Sequence, residues 1–274
     1  MWFEMIFLIT GAASGFGLLT ARSAAKRGHT VYAGCRDLAS FKTDGDSSPA
    51  IVPLQLDVTK PAEREAAMRE ILSKHGQLDV LVNNAGVTLG GFLETVEEDE
   101  LARLFAINVF AAFALTKLAL PSMRKRRNGS IINVSSMSER MAVPGLGAYA
   151  ASKFALEGLS EAWRHELAPF GIRVSVVEPG PYKTDIVTRN RTMARGANDP
   201  VYQELSKRVS VLADSAIERS SPPEEVAELI VTIAESPAPK FRHPIGAGAG
   251  ARTFLLRFAP TFFERYFRKL FARV

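Results

Sequence analysis

The chain has 274 residues, 47% hydrophobic and 23% charged, enough apolar content to bury a large core in a single domain. Its net charge of +5 is concentrated at one end: residues 240–274 carry eight Lys or Arg against one Glu, which leaves the body at −2 and excludes nucleic acid as the expected partner. One cysteine, Cys35, excludes an internal disulfide, and no uninterrupted apolar run reaches the roughly eighteen residues of a membrane span, so a cytoplasmic protein is expected.

Residues 4–9 read as a buried strand rather than a signal peptide, because Glu4 breaks the run, no basic leader precedes it and a glycine-rich turn follows. That turn, Thr10-Gly11-Ala12-Ala13-Ser14-Gly15-Phe16-Gly17, leads into helix formers over 18–27 that close on Gly28. Its GxxxGxG spacing differs from the GxGxxG fingerprint but shares the mechanics: glycines let backbone approach a pyrophosphate, and a helix N-terminus offers it N–H groups. Gly11, Ser14, Gly15, Phe16 and Gly17 are the expected contacts, and a tight βα turn without a ligand is the competing reading.

Residues 30–34 form a second strand, which puts Cys35, Arg36 and Asp37 beside an adenosine ribose. NAD sites hold a carboxylate there, whereas an Arg suits the 2′-phosphate of NADP. Cys35 followed by Arg36 therefore predicts NADP(H) over NAD(H), although Asp37 could turn inward and Arg36 could be a solvated cation. A third strand over 51–56 ends in Asp57 and Val58, where Asp57 either accepts from an adenine amino group or acts as a cap-like carboxylate. A helix over 62–75 follows, with Pro61 at its start and Gly76 as its cap.

A fourth strand, 80–82, ends in Asn83 and Asn84, whose amides either tie strands together or touch the cofactor. Residues 97–126 carry one long helical periodicity with Asn108 inside it, either distorting the helix or holding a proton-relay water. The strand at 130–134 leads to Ser135 and Ser136, and a helix beginning near 148 puts Tyr149 and Lys153 on one face at i,i+4 spacing. A neighbouring ammonium favours phenolate, making Tyr149 a candidate acid or base, against the bland reading of a surface Tyr and Lys. A sixth strand, 172–177, closes on Glu178-Pro179-Gly180.

This alternation predicts an α/β fold: a Rossmann-type doubly wound parallel sheet with helices on both faces and right-handed crossovers, the marked residues gathering at strand carboxyl ends. One domain over 1–250 and a basic amphipathic C-terminal helix over 251–274 are expected. Residues 185–215, with Arg189, Arg191 and Arg195, break the rhythm and predict a substrate lid lined from among Val187, Met193, Tyr202, Leu205 and Val209. A helix over 222–235 and a last strand over 241–245 come next. In the tail, Phe262, Phe263, Tyr266, Phe267, Leu270 and Phe271 form a stripe opposite Arg265, Arg268, Lys269 and Arg273. Packing on protein is the expected fate of that stripe, and a membrane surface is the less favoured one.

Taken in order and spacing, Thr10-Gly11-xxx-Gly15-x-Gly17, Asp57-Val58, Asn83-Asn84-Ala85-Gly86, Asn108, Ser136, Tyr149-xxx-Lys153 and Pro179-Gly180 resemble the short-chain dehydrogenase/reductase family over about residues 5–235. The resemblance implies that Ser136 holds the substrate oxygen, Tyr149 exchanges the proton, Lys153 lowers the tyrosine pKa and holds the nicotinamide ribose, and Asn108 anchors a relay water. It further places Thr184 at the carboxamide and implies homodimers or homotetramers built through the Tyr149 helix and its neighbour. VYAGCRD resembles NADP-preferring members, and Arg242-His243-Pro244-Ile245-Gly246 resembles the branch related to 17β-hydroxysteroid dehydrogenases. The Met137-Ser138-Glu139-Arg140 stretch departs from the glycine often found after the serine region. The expected activity is hydride transfer between NADP(H) and the carbonyl or alcohol of an apolar substrate, with no metal. An idle NADP(H)-binding sensor and a membrane-surface module are the alternatives.

Overall fold

Strand β1 (Ile6–Thr10) is buried at every position, which only a strand covered on both faces can be. The computed structural model describes residues 4–41, 48, 50–139, 141–183, 191–218, 220–250, 255 and 258–271. There β1 lies inside a seven-stranded sheet with β2 (Thr30–Cys35), β3 (Ile51–Gln55), β4 (Val80–Asn83), β6 (Gly129–Val134), β7 (Ile172–Pro179) and β9 (Arg242–Ile245). The order is β3-β2-β1-β4-β6-β7-β9, and every pairing is parallel.

The strands' alternation splits the core in two. Ile6, Leu8, Leu81, Ile131 and Val174 point to the face covered by α2 (Pro61–His75), α4 (Ala111–Arg126) and α5 (Gly147–Leu167), meeting Ile71, Leu115, Met123 and Trp163. Phe7, Ile9, Val31, Val82 and Ile132 point to the other, covered by α1 (Gly15–Lys26) and α7 (Glu224–Glu235) through Ala21, Ala24, Val226 and Ile230. Each Val, Leu, Ile, Phe or Met among them contributes about 1.5–3 kcal/mol relative to exposure.

Three features depart from expectation. The single helix predicted over 97–126 is broken: α3 (Glu98–Phe105) passes through one π turn, Ala106–Phe110, before α4. The inserted residue turns Asn108 inward, where its amide donates to the Val87 carbonyl at 3.0 Å and its carbonyl oxygen accepts the Val87 N–H at 2.9 Å. This stretch, Glu98–Arg126, holds a window whose average composition is apolar enough to cross a membrane although no uninterrupted apolar run is that long, and half of that window is buried inside the fold. Second, a short strand β5 (Thr88–Gly90), absent from the sequence reading, pairs in parallel with β8 (Arg191–Met193). Third, the segment read as a lid is partly fixed. Beyond β8 it is held by the Arg195–Asp99 ion pair and by Phe92 stacked on Tyr202 at 4.4 Å, then continues as α6 (Gln203–Glu218). The tail helix α8 spans Pro260–Phe271.

Candidate active site

β1 leads on to β2 while its other neighbour, β4, leads away to β6, so a crevice opens between them at the carboxyl ends. Thr10 Oγ1 accepts the N–H groups of Asn84 and Ala85 at 3.0 and 2.9 Å, and the Asn84 side-chain amide donates to the carbonyls of Thr10 and Gly11 at 2.8 and 3.2 Å. Asn84 therefore ties β4 to the glycine turn and also lines the cavity. Asn83 is engaged only in the core, donating to Asn133 at 2.8 Å.

Gly11 has a φ of +64°, and a Cβ there would lie 2.9 Å from Ala85 Cα. At Gly17 a Cβ would come within 2.5 Å of the Gly11 carbonyl oxygen. Gly17 thus lets the helix close on the turn and is not on the cavity wall, unlike Gly11, Ser14, Gly15 and Phe16. Ser14 makes no side-chain cap to α1, so its hydroxyl does not occupy the helix's first amides. Together these features fit a dinucleotide phosphate.

The cavity, about 1100 Å³, runs from this turn past Arg36, Asp37, Asp57 and Val58 on one side to Ser136, Tyr149, Lys153, Pro179 and Gly180 on the other. Asp37 also lines the cavity, and its carboxylate accepts the Ala39 N–H at 3.0 Å. Arg36 is exposed beside it, and its guanidinium has no ion-pair partner among the described residues. Asp57 accepts both the Thr59 hydroxyl at 2.7 Å and the Thr59 N–H at 3.0 Å. Burial pushes its carboxyl up, but these bonds outweigh it and hold it below the usual range. It is a turn-forming carboxylate that also faces the cavity.

Tyr149 and Lys153 are buried near the start of α5, the ammonium 5.8 Å from the phenol ring centroid. Burial drives the phenol up to about 12, opposed by a hydrogen bond from Ser136. Burial likewise pulls the Lys153 ammonium down to about 8, opposed by Glu157 one turn along. Lys153 donates to the Val134 carbonyl at 2.9 Å. The expected lowering of the tyrosine pKa by Lys153 is therefore not present in this state, because desolvation dominates both groups. Glu157 is held by Arg242, which also reaches Glu178 at 3.2 Å and so joins α5, β7 and β9 beneath the site.

Asn108 lies behind this wall rather than on it, its amide also donating to Ser152 Oγ at 3.0 Å. Its side chain shapes the helix and pins the β4–β5 segment. Thr184, Val187 and Arg189 fall outside the described residues. Of the remaining lid residues, Val209 lines the cavity, whereas Met193, Tyr202 and Leu205 do not. Several wall residues escaped the sequence reading: Met141, Val143, Leu146, Tyr182, Leu212, Arg103 and, in that role, Arg191. Tyr266 and Phe267 of α8 complete this side of the wall.

Comparison with known proteins agrees with this geometry. Residues 5–195 match the family model described as short chain dehydrogenase. A 3-ketodihydrosphingosine reductase from Bacteroides thetaiotaomicron is 36% identical over 242 residues, covering 88% of this chain and 87% of that one. The 17-beta-hydroxysteroid dehydrogenase type 1 of Homo sapiens is 35% identical over 256 residues, covering 87% and 76%. Among solved structures, a short-chain dehydrogenase from Streptomyces avermitilis superposes with a TM-score of 0.82 at 32% identity, covering 97% of this chain and 98% of that one.

Proposed function

The chain belongs to the short-chain dehydrogenase family of oxidoreductases, and on that footing we propose that it reduces the carbonyl of an apolar substrate with NADPH, or runs the reverse oxidation, using Tyr149 as the proton donor or acceptor. The observation that carries the proposal is the convergence of Ser136, Tyr149 and Lys153 on one wall of a cavity whose opposite end is the glycine cradle.

A bound reduced nicotinamide would supply the hydride. The chain's own contribution is positional and electrostatic. Ser136 and Tyr149 line the same cavity, and together they offer a carbonyl oxygen two hydroxyl donors. With its pKa near 12 the phenol is fully protonated at neutral pH, as a donor in reduction must be. In the oxidative direction Lys153 has to favour the phenolate, and its release from the Val134 carbonyl toward a bound ribose would free it to do so. Val143, Leu146, Val209 and Leu212 exclude water from the reacting end. Arg36 favours NADP(H), because it offers a guanidinium to a 2′-phosphate beside the cavity, next to an Asp37 whose carboxylate caps its own turn.

The test is NADPH oxidation against a carbonyl panel spanning steroids, retinoids, 3-oxoacyl thioesters and small aryl ketones. Saturable turnover on at least one class is expected. NADPH binding with no turnover across the panel would favour the idle sensor.

A further inference from the structure

The charges around the cavity divide by end. Its two carboxylates, Asp37 and Asp57, both lie at the adenosine end with Arg36. The rest of the lining holds no carboxylate and, beside its apolar side chains, carries two guanidiniums, Arg103 on α3 and Arg191 on β8.

Neither arginine is neutralised locally. On α3 the acidic neighbours one turn before Arg103 are already engaged: Asp99 pairs with Arg195, and Glu100 accepts the N–H groups of Arg195 at 3.0 Å and Glu97 at 3.1 Å. Arg191 is held by the β5–β8 ladder opposite Thr88, and a Cβ on Gly90 would lie 3.7 Å from its Nε. Among the described residues neither Arg103 nor Arg191 has an ion-pair partner, although Arg195, two residues beyond the end of the same short strand, does. Two guanidiniums without ion-pair partners in the lining of one cavity can receive an anionic group.

We propose that the substrate is a carbonyl compound, or its alcohol, whose apolar body carries an anionic end group, a carboxylate or a phosphate ester, read by Arg103 and Arg191. This rests on the reduction chemistry proposed above and adds the charge of the substrate. Arg191 sits on a strand clamped through Arg195 to α3, so both guanidiniums are carried by a fixed wall rather than a free loop. The body lies along Val143, Leu146, Val209 and Leu212, with its charged end outward.

The experiment measures kcat/KM with NADPH for medium-chain oxo acids, the carbonyl walked along the chain, each beside its methyl ester and the matching oxoalkyl phosphate. The wild type should prefer an anionic member over its ester by about tenfold or more. In R103Q/R191Q that ratio should fall toward one through a higher KM for the anion, whereas K125Q, a cation removed from α4 away from the cavity, should keep it. The acid and phosphate arms identify which anion the pair prefers. Equal turnover of anion and ester by the wild type, or a preference surviving in R103Q/R191Q, would overturn the inference and leave the reductase reading intact. If no member is turned over, the reductase reading stands or falls on the carbonyl panel above. Fluorescence titration of the NADPH complex with the oxo acids then decides the anion site: binding weakened in R103Q/R191Q supports it, and binding no weaker overturns it.

Discussion

At the scale of single residues, the site is a place where burial works against charge. Lys153, with its pKa drawn down to about 8 from 10.5, is a buried ammonium at neutral pH. The unfolded chain binds more protons than the folded one between pH 8 and 10.5, so this group's contribution to stability rises as pH climbs through that window. Lys153→Met should therefore raise the melting temperature of the cofactor-free protein at pH 7 while abolishing turnover. The gain should shrink as pH approaches 10.5, as pH-dependent thermal denaturation would show. A variant destabilised equally at every pH would mean that the bond to Val134, rather than the buried charge, dominates. Arg36 answers to cofactor choice. Arg36→Ala should raise KM for NADPH at least tenfold more than KM for NADH, since only the former loses a charge-assisted pair. Equal effects would show that Arg36 does not read the 2′-phosphate. Tyr149, Lys153 and Arg36 were legible in sequence because each sits at a fixed spacing from a strand end. Arg103 and Arg191 were not, because they lie 88 positions apart and reach the same cavity only through the β5–β8 ladder and the folding of α3.

At the scale of elements, the sheet was legible because strands buried on both faces read as unbroken apolar runs ended by Gly, Asn or Asp. The five residues of β1 are all buried, and those of β6 likewise. The π turn was not, since its cause is the bonding of Asn108 to Val87, twenty-one residues away in sequence. Nor was β5, whose three residues make a strand only when β8 arrives. Helix α8 gives the sharpest test at this scale. Its stripe and its basic face were visible from residue type, but residue type does not say which surface the stripe covers. With Tyr266 and Phe267 on the cavity wall, deleting residues 261–274 should lower the melting temperature or alter the oligomer, and should raise KM for large substrates more than for small ones. If the shortened protein keeps its stability, oligomer size and kinetics but loses sedimentation with anionic liposomes, α8 is a membrane-surface helix instead.

At the scale of the whole molecule, three surfaces follow from one fold: a cofactor cradle at the β1–β4 crevice, a substrate wall built from the β4–α3 segment, β8, α6 and α8, and an apolar outer face on α4 and α5. That outer face leaves Phe110, Phe113 and Phe154 between 39% and 59% exposed, with Phe113 stacked on Trp163 at 5.6 Å. Burial of these rings between subunits would account for their exposure here, so light scattering should find a dimer or tetramer, and Phe154→Glu should shift it toward smaller species. A wild type that runs as a monomer at micromolar concentration would contradict this. The central claim concerns chemistry, and Tyr149→Phe tests it most directly, because the ring and its packing stay while the one exchangeable proton goes. With a substrate from the carbonyl panel, single-turnover oxidation of bound NADPH should slow about a hundredfold or more, while NADPH affinity measured by fluorescence titration stays within about twofold of wild type. Turnover retained within a few-fold of wild type, at unchanged NADPH affinity, would contradict the assignment of Tyr149 as the proton donor.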